Sequence, residues 1–179
     1  DERVSEPLDV AHGAHLRGLA PAGIFVPADS KVKTPEDRLR YYSSRFSMVE
    51  ADMGFYAIPD RALTERWIER TPADFVFNMK AHALMTGHPT EVARLPRSIR
   101  DAIPESHSGP RVYAKDLPIE LREEVWRLFR DAATPLHEAG RLGAILLQFA
   151  PWIRPAKHTP VMFARARERL GDLPIAIEF

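Results

Sequence analysis

The sequence predicts an α/β fold in which parallel strands are joined by crossover helices. Three observations predict it. Short apolar segments of strand type alternate with longer segments of helical period, and no tight hairpin separates them. Each strand-like segment ends in or beside a polar residue: Glu50, Lys80, Gln148 and Glu178. These ends recur at a near-fixed interval, 30 residues from Glu50 to Lys80 and 30 from Gln148 to Glu178, the length of one strand–helix–strand unit. Lys80 and Gln148 lie 68 apart, which fits one unit plus an inserted excursion.

The elements follow in chain order. Residues 1–32 show neither period and carry Gly13, Gly18, Pro21 and Gly23, so they read as an irregular N-terminal arm. Thr34, Pro35 and Asp37 form a helix-start signal, and Leu39, Tyr42 and Phe46 supply one apolar face. Residues 47–51 read as a buried strand. Asp60 precedes a second helix with Leu63 and Trp67 one turn apart, and Thr71-Pro72 ends it. Residues 75–80 read as a second strand. Residues 82–117 hold Pro89, Pro96, Pro104 and Pro110 and read as an inserted loop region with a short helix over 96–102. Such long insertions are usually functional or disordered.

Pro118 opens the clearest helix. Glu120, Glu123 and Glu124 suit its positive end, and Leu121, Val125, Leu128, Phe129, Ala132 and Leu136 form its apolar stripe. Gly140 stops it. Residues 143–149 read as the best strand, 159–170 as the last helix, and 174–179 as a further strand.

Composition narrows the function classes. The chain has 179 residues, no formal net charge and no cysteine. A thiolate nucleophile, a disulfide framework and a Cys-ligated metal are excluded. The charge balance offers no reason to expect nucleic acid or an anionic membrane as partner. No apolar run is long enough to span a bilayer, and the acidic, polar start is no secretory signal, so a cytoplasmic location is expected. No Gly-rich phosphate loop, nucleophile elbow or H-E-x-x-H motif is present.

Polar residues at the ends of parallel strands converge, on a barrel rim or in the crevice of an open sheet. Lys80 with Glu50 and Glu178 makes a self-compensating charged set that would either form a structural ion-pair network or perform acid–base work. These three are the candidate catalytic residues. Tyr56, Gln148, His82 and Trp152 are the candidate ligand-binding residues. His82 and His88 with Glu50 or Glu178 would suit zinc, iron or manganese. Loop histidines without a metal are the commoner case, so no metal site or cofactor is predicted and a divalent ion stays an alternative.

Several motifs carry a family resemblance. They are FYAIPD at residues 55–60, WIERTPADFVFNMKA at 67–81, LGAILLQFAPWI at 142–153 and the terminal AIEF. With KTPEDRLRYYSSRFSMVEADMGFYAIPD from Lys33, they resemble the YecE-like family, the domain of unknown function 72. TGHPT at 86–90 resembles the variant of its actinobacterial members. The resemblance covers residues 33–179 and implies a TIM-like β/α barrel of unestablished activity. Of that barrel only about the first half is expected here, because the family's EFRH-type strand end is cut after Phe179. The family's first strand motif, Gly-Thr-Ser-x-Trp, has no match in the arm. Met53 and Gly54 stand where the family has small hydroxyl residues.

The expected function is binding of a small polar metabolite at the C-terminal strand ends, with acid–base catalysis. The alternative is a non-catalytic fragment or degenerate interaction module, because a half-barrel leaves open sheet edges through which a chain can self-associate.

Overall fold

The structure is a computed structural model that describes residues 32–179. The arm expected over residues 1–32 lies outside the described residues except for its last one.

Helix α1 (Pro35–Ser43) starts as its signal requires. Thr34 Oγ1 accepts the Asp37 N–H at 3.1 Å, and the Asp37 carboxylate accepts the Thr34 N–H at 2.9 Å. This reciprocal box satisfies two amides that have no partner within the helix. Strand β1 (Met48–Ala51) is followed at once by a one-turn helix, α2 (Met53–Tyr56), which the periodicity did not indicate. Asp60 caps α3 (Arg61–Glu69) by accepting the Leu63 N–H at 2.6 Å. Strand β2 (Val76–Lys80) follows.

The inserted region is folded. It contains a two-stranded antiparallel ribbon, β3 (Thr90–Glu91) with β4 (Arg111–Val112), and α4 (Arg97–Arg100), the short helix expected there. Leu84, Met85, Leu95, Ile99, Val112 and Leu117 are buried in the main core. Burial of these side chains is what holds a stretch of irregular backbone in place. Then come α5 (Ile119–Glu138), β5 (Leu142–Gln148), α6 (Thr159–Leu170) and β6 (Ile175–Glu178).

The four long strands form one parallel sheet in the order β1-β2-β5-β6. Among the described residues its outermost strands are β1 and β6. Strand alternation splits its residues between two faces. Phe77, Met79, Ile145 and Leu147 are fully buried beneath the helices, with Trp67 of α3 stacked on Phe77 at 5.4 Å. The other face carries Glu50, Asn78, Lys80, Leu146, Gln148 and Glu178, half-buried to exposed.

One buried cation ties the opposite end of the sheet. Arg141, 4% exposed, donates to the carbonyls of Phe75 (3.1 Å), Ile68 (2.8 Å) and Pro72, and to Thr71 Oγ1. It thereby satisfies the last carbonyls of α3 and the turn into β2.

Candidate functional site

The site is assembled at the C-terminal ends of the strands. Register places Glu50 beside Asn78 and Lys80 beside Leu146, with Gln148 facing Glu178. The Gln148 amide donates to Glu178 Oε1 at 2.7 Å, so the two later strand ends are joined directly.

Helix α2 closes the site beside β1. A Cβ on Gly54 would lie 2.9 Å from the Lys80 carbonyl oxygen and 3.2 Å from Phe129 Cε2. Only glycine lets this turn rest against the end of β2. The turn delivers Asp52 and Phe55 to Lys80. Lys80 Nζ lies 3.6 Å from Asp52 Oδ1 and 5.4 Å from the centre of the Phe55 ring. Asp52 is 7% exposed, and its Oδ1 has no hydrogen-bond partner.

Glu50 feels all these charges. Burial, then the charge of Asp52 and a hydrogen bond shared with it, push its carboxyl above the usual carboxylate range. Lys80 pulls the other way, and Glu178 adds a further upward push. A second carboxylate placed this close disfavours the charge on Glu50, and Lys80 opposes that push. A carboxyl that holds its proton more tightly than usual can serve as a general acid or base.

An aromatic wall continues from Phe55. Its ring lies 5.0 Å from His88, edge to face, and His88 lies 5.9 Å from Trp152. Burial and the charge of Lys80 lower the pKa of His88, and its Nδ1 is within hydrogen-bond distance of Thr86 Oγ1, 3.1 Å. Residues 150–153 after β5 dock on this turn through the Ala150 N–H, which donates to the Thr86 carbonyl at 3.0 Å. Gly87, at φ +82°, has Ile153 Cδ1 2.2 Å from where a Cβ would stand. Trp152 is 62% exposed at the rim. Tyr56 stacks edge to face on Phe55 at 5.1 Å, with the Arg94 guanidinium 5.8 Å above its ring.

Of the residues singled out from the sequence, Glu50, Lys80, Gln148 and Glu178 thus gather at the strand ends, with Tyr56 and Trp152 in the adjoining wall. His82, expected as a ligand-binding residue, is fully buried in the core. The chain turns inward after Lys80. His82 Nδ1 accepts the Leu84 N–H at 3.4 Å to start the turn over Ala83–Met85, and Nε2 has no partner. Among the described residues, no group of three His, Asp or Glu side chains is placed to hold a metal ion, and no helix is long and apolar enough to cross a membrane.

Asp52 and Phe55 join the site without having been named for it, and His88, singled out only as an alternative metal ligand, enters it as part of the aromatic wall. Asp52 had a signal: it lies two residues beyond Glu50, the spacing that keeps side chains on one side of an extended chain. Phe55 had none, because packing of the turn after β1 brings it in.

Comparisons with known proteins agree with this architecture. The family model described as "Protein of unknown function DUF72" matches residues 20–179. The match starts ahead of Lys33, inside the stretch read as an arm. The UPF0759 protein YunF of Bacillus subtilis (strain 168) is 30% identical over 144 residues, 80% of this chain and 43% of its own length. A DUF72 family protein from Enterococcus faecalis V583 matches in structure with a TM-score of 0.56 and 25% identity, over 78% of this chain and 46% of that one. A DUF72 family protein from Thermotoga maritima MSB8 matches with a TM-score of 0.57 and 21% identity, over 88% and 50%. The chain therefore spans about half the length of these relatives or less.

Proposed function

The chain belongs to the DUF72 family, and from that premise we propose that its strand-end site binds a small polar metabolite and acts on it by acid–base chemistry. In this reading the four parallel strands are part of a TIM-like β/α barrel, and the site is its rim, where such barrels build their active sites. One observation carries the reading. Glu50, Asp52, Lys80 and Glu178 converge at the strand ends, and Glu50 is held above the usual carboxylate range. A carboxyl raised above its usual range beside a specific charge partner is a functional signal.

Each residue has a role. Glu50 donates or accepts the proton, and the charge of Asp52 favours its keeping that proton. Lys80 stabilises negative charge as it develops on the substrate. Glu178 is the second carboxylate, oriented by Gln148. Tyr56 and Gln148 hydrogen-bond the ligand, and Trp152 covers it.

The test is a thermal-shift screen of small metabolites against the protein, with and without divalent metals. The expected result is a hit whose affinity falls about tenfold or more in Glu50→Gln. A screen without hits, or a hit that is indifferent to Glu50→Gln and Lys80→Met, would leave the chain as a non-catalytic interaction module.

A further inference from the structure

His88 stands on a turn that leaves its ring little freedom. Its backbone N–H donates to the Ala83 carbonyl at 3.0 Å, and the nearby Thr86 carbonyl takes the Ala150 N–H. Gly87, between Thr86 and His88, adopts φ +82°, a conformation that glycine reaches without cost. The imidazole itself meets Phe55 at 5.0 Å and Trp152 at 5.9 Å.

Hydrogen-bond accounting assigns the ring proton. Two acceptors lie within reach of the Thr86 hydroxyl, the Ala83 carbonyl oxygen at 3.3 Å and His88 Nδ1 at 3.1 Å. That carbonyl already accepts the Thr86 and His88 N–H groups, at 3.2 and 3.0 Å, which occupy its two lone pairs. The hydroxyl proton therefore goes to Nδ1. Burial, then the charge of Lys80, lowers the pKa of the ring. It is thus uncharged near neutral pH, and its one N–H is at Nε2. Nε2 has no hydrogen-bond partner among the described residues and, unlike Nε2 of His82, is not sealed from solvent.

Lys80 packs on the same half-buried Phe55 ring. Its Nζ is 5.4 Å from the ring centre and 3.6 Å from Asp52 Oδ1, and its charge reaches His88. One wall therefore carries an ammonium and an imidazole N–H. Two such donors suit an oxygen on which negative charge rests or develops.

We infer that His88 is a further ligand-binding residue of the strand-end site, a neutral imidazole whose Nε2–H donates to a carbonyl or carboxylate oxygen of the ligand. This inference rests on the strand-end site being a ligand site, and it adds a residue to that site and the acceptor chemistry of what binds there.

The experiment is NMR of the imidazole nitrogens in the full chain. The His88 signals are identified by their loss in His88→Phe, which keeps an aromatic ring in the wall. The free protein is expected to carry the His88 proton on Nε2. Hydroxyacetone, acetate and methylammonium are then titrated, as a carbonyl, a carboxylate and a cation without an acceptor. Hydroxyacetone or acetate is expected to shift the Nε2 signal, with an affinity about tenfold or more weaker in His88→Phe, and the one that binds names the oxygen. A proton on Nδ1, or an Nε2 signal moved by no probe or by methylammonium alone, would overturn the inference. Binding that is weakened by Lys80→Met and indifferent to His88→Phe would overturn it too, and would leave the strand-end site standing. Without binding of any probe the inference fails, and the metabolite screen decides the site on its own.

Discussion

Lys80 Nζ lies 3.6 Å from Asp52 Oδ1, and the two residues reach each other from different strand ends. Lys80 closes β2, and Asp52 follows β1 at the start of the short helix α2. Both charges act on Glu50, Asp52 pushing its carboxyl up and Lys80 pulling it down.

Glu50 makes that protonation measurable. Its carboxyl holds a proton more tightly in the folded chain than in the unfolded one. Its contribution to stability is therefore full below the ordinary Glu value of about 4.3 and is lost as pH rises through the raised folded value. Glu50→Gln removes the loss. Relative to the parent chain, its Tm is expected to be higher by a few degrees at pH 8, with the gap closing by about pH 4. Thermal melts at several pH values read this directly, and a gap of the same size at both ends would contradict it.

Gly54 tests the seating of α2. A methyl group there collides with the Lys80 carbonyl, a backbone atom that cannot swing aside. Gly54→Ala is expected to cost about 1–3 kcal/mol in urea unfolding. It is also expected to weaken any ligand found in the screen, because α2 carries Phe55 and follows Asp52. Unchanged stability would mean that α2 does not rest on β2.

Arg141 tests the far end of the sheet. Its guanidinium serves three carbonyls and one hydroxyl, and among the described residues the Ile68 and Pro72 carbonyls also accept backbone N–H groups. Arg141→Met is expected to destabilise the chain by about 1–3 kcal/mol, because it takes the guanidinium donor from the buried Phe75 carbonyl and cuts the tie between β5 and the α3–β2 turn. Arg141→Lys is expected to recover only part of this, since an ammonium lacks the planar fork. Full recovery by lysine would show that charge alone matters there.

His82 gives the acid limit of stability. Burial pushes its pKa down to about 4, from 6.5. Between these values the unfolded chain binds the proton and the folded chain does not. Stability therefore falls as pH drops from about 6.5 towards 4, by up to about 3 kcal/mol, and this contribution changes no further below that. His82→Asn keeps an acceptor for the Leu84 N–H but does not titrate. Its unfolding free energy is expected to vary less with pH over this window. Equal slopes for both proteins would place the ring in contact with water.

Local sequence determined the elements. Apolar spacing marked α5 and α6, and apolar runs marked β1, β2, β5 and β6, because a residue's neighbours at two, three or four positions decide which face it shares. The Thr34 and Asp60 caps were legible for the same reason. The 30-residue interval between Gln148 and Glu178 also pointed to neighbouring strand ends, which register and a 2.7 Å hydrogen bond now join. Tertiary structure alone decided the rest. Whether His82 faces a ligand or the core depends on how the chain turns after Lys80, and no period describes a turn. Phe55 reaches Lys80 because Gly54 lets one turn of helix touch a distant backbone, and His88 meets Trp152 because two loops dock. Such contacts join residues far apart in the chain, where side-chain spacing carries no signal and packing alone selects the partner.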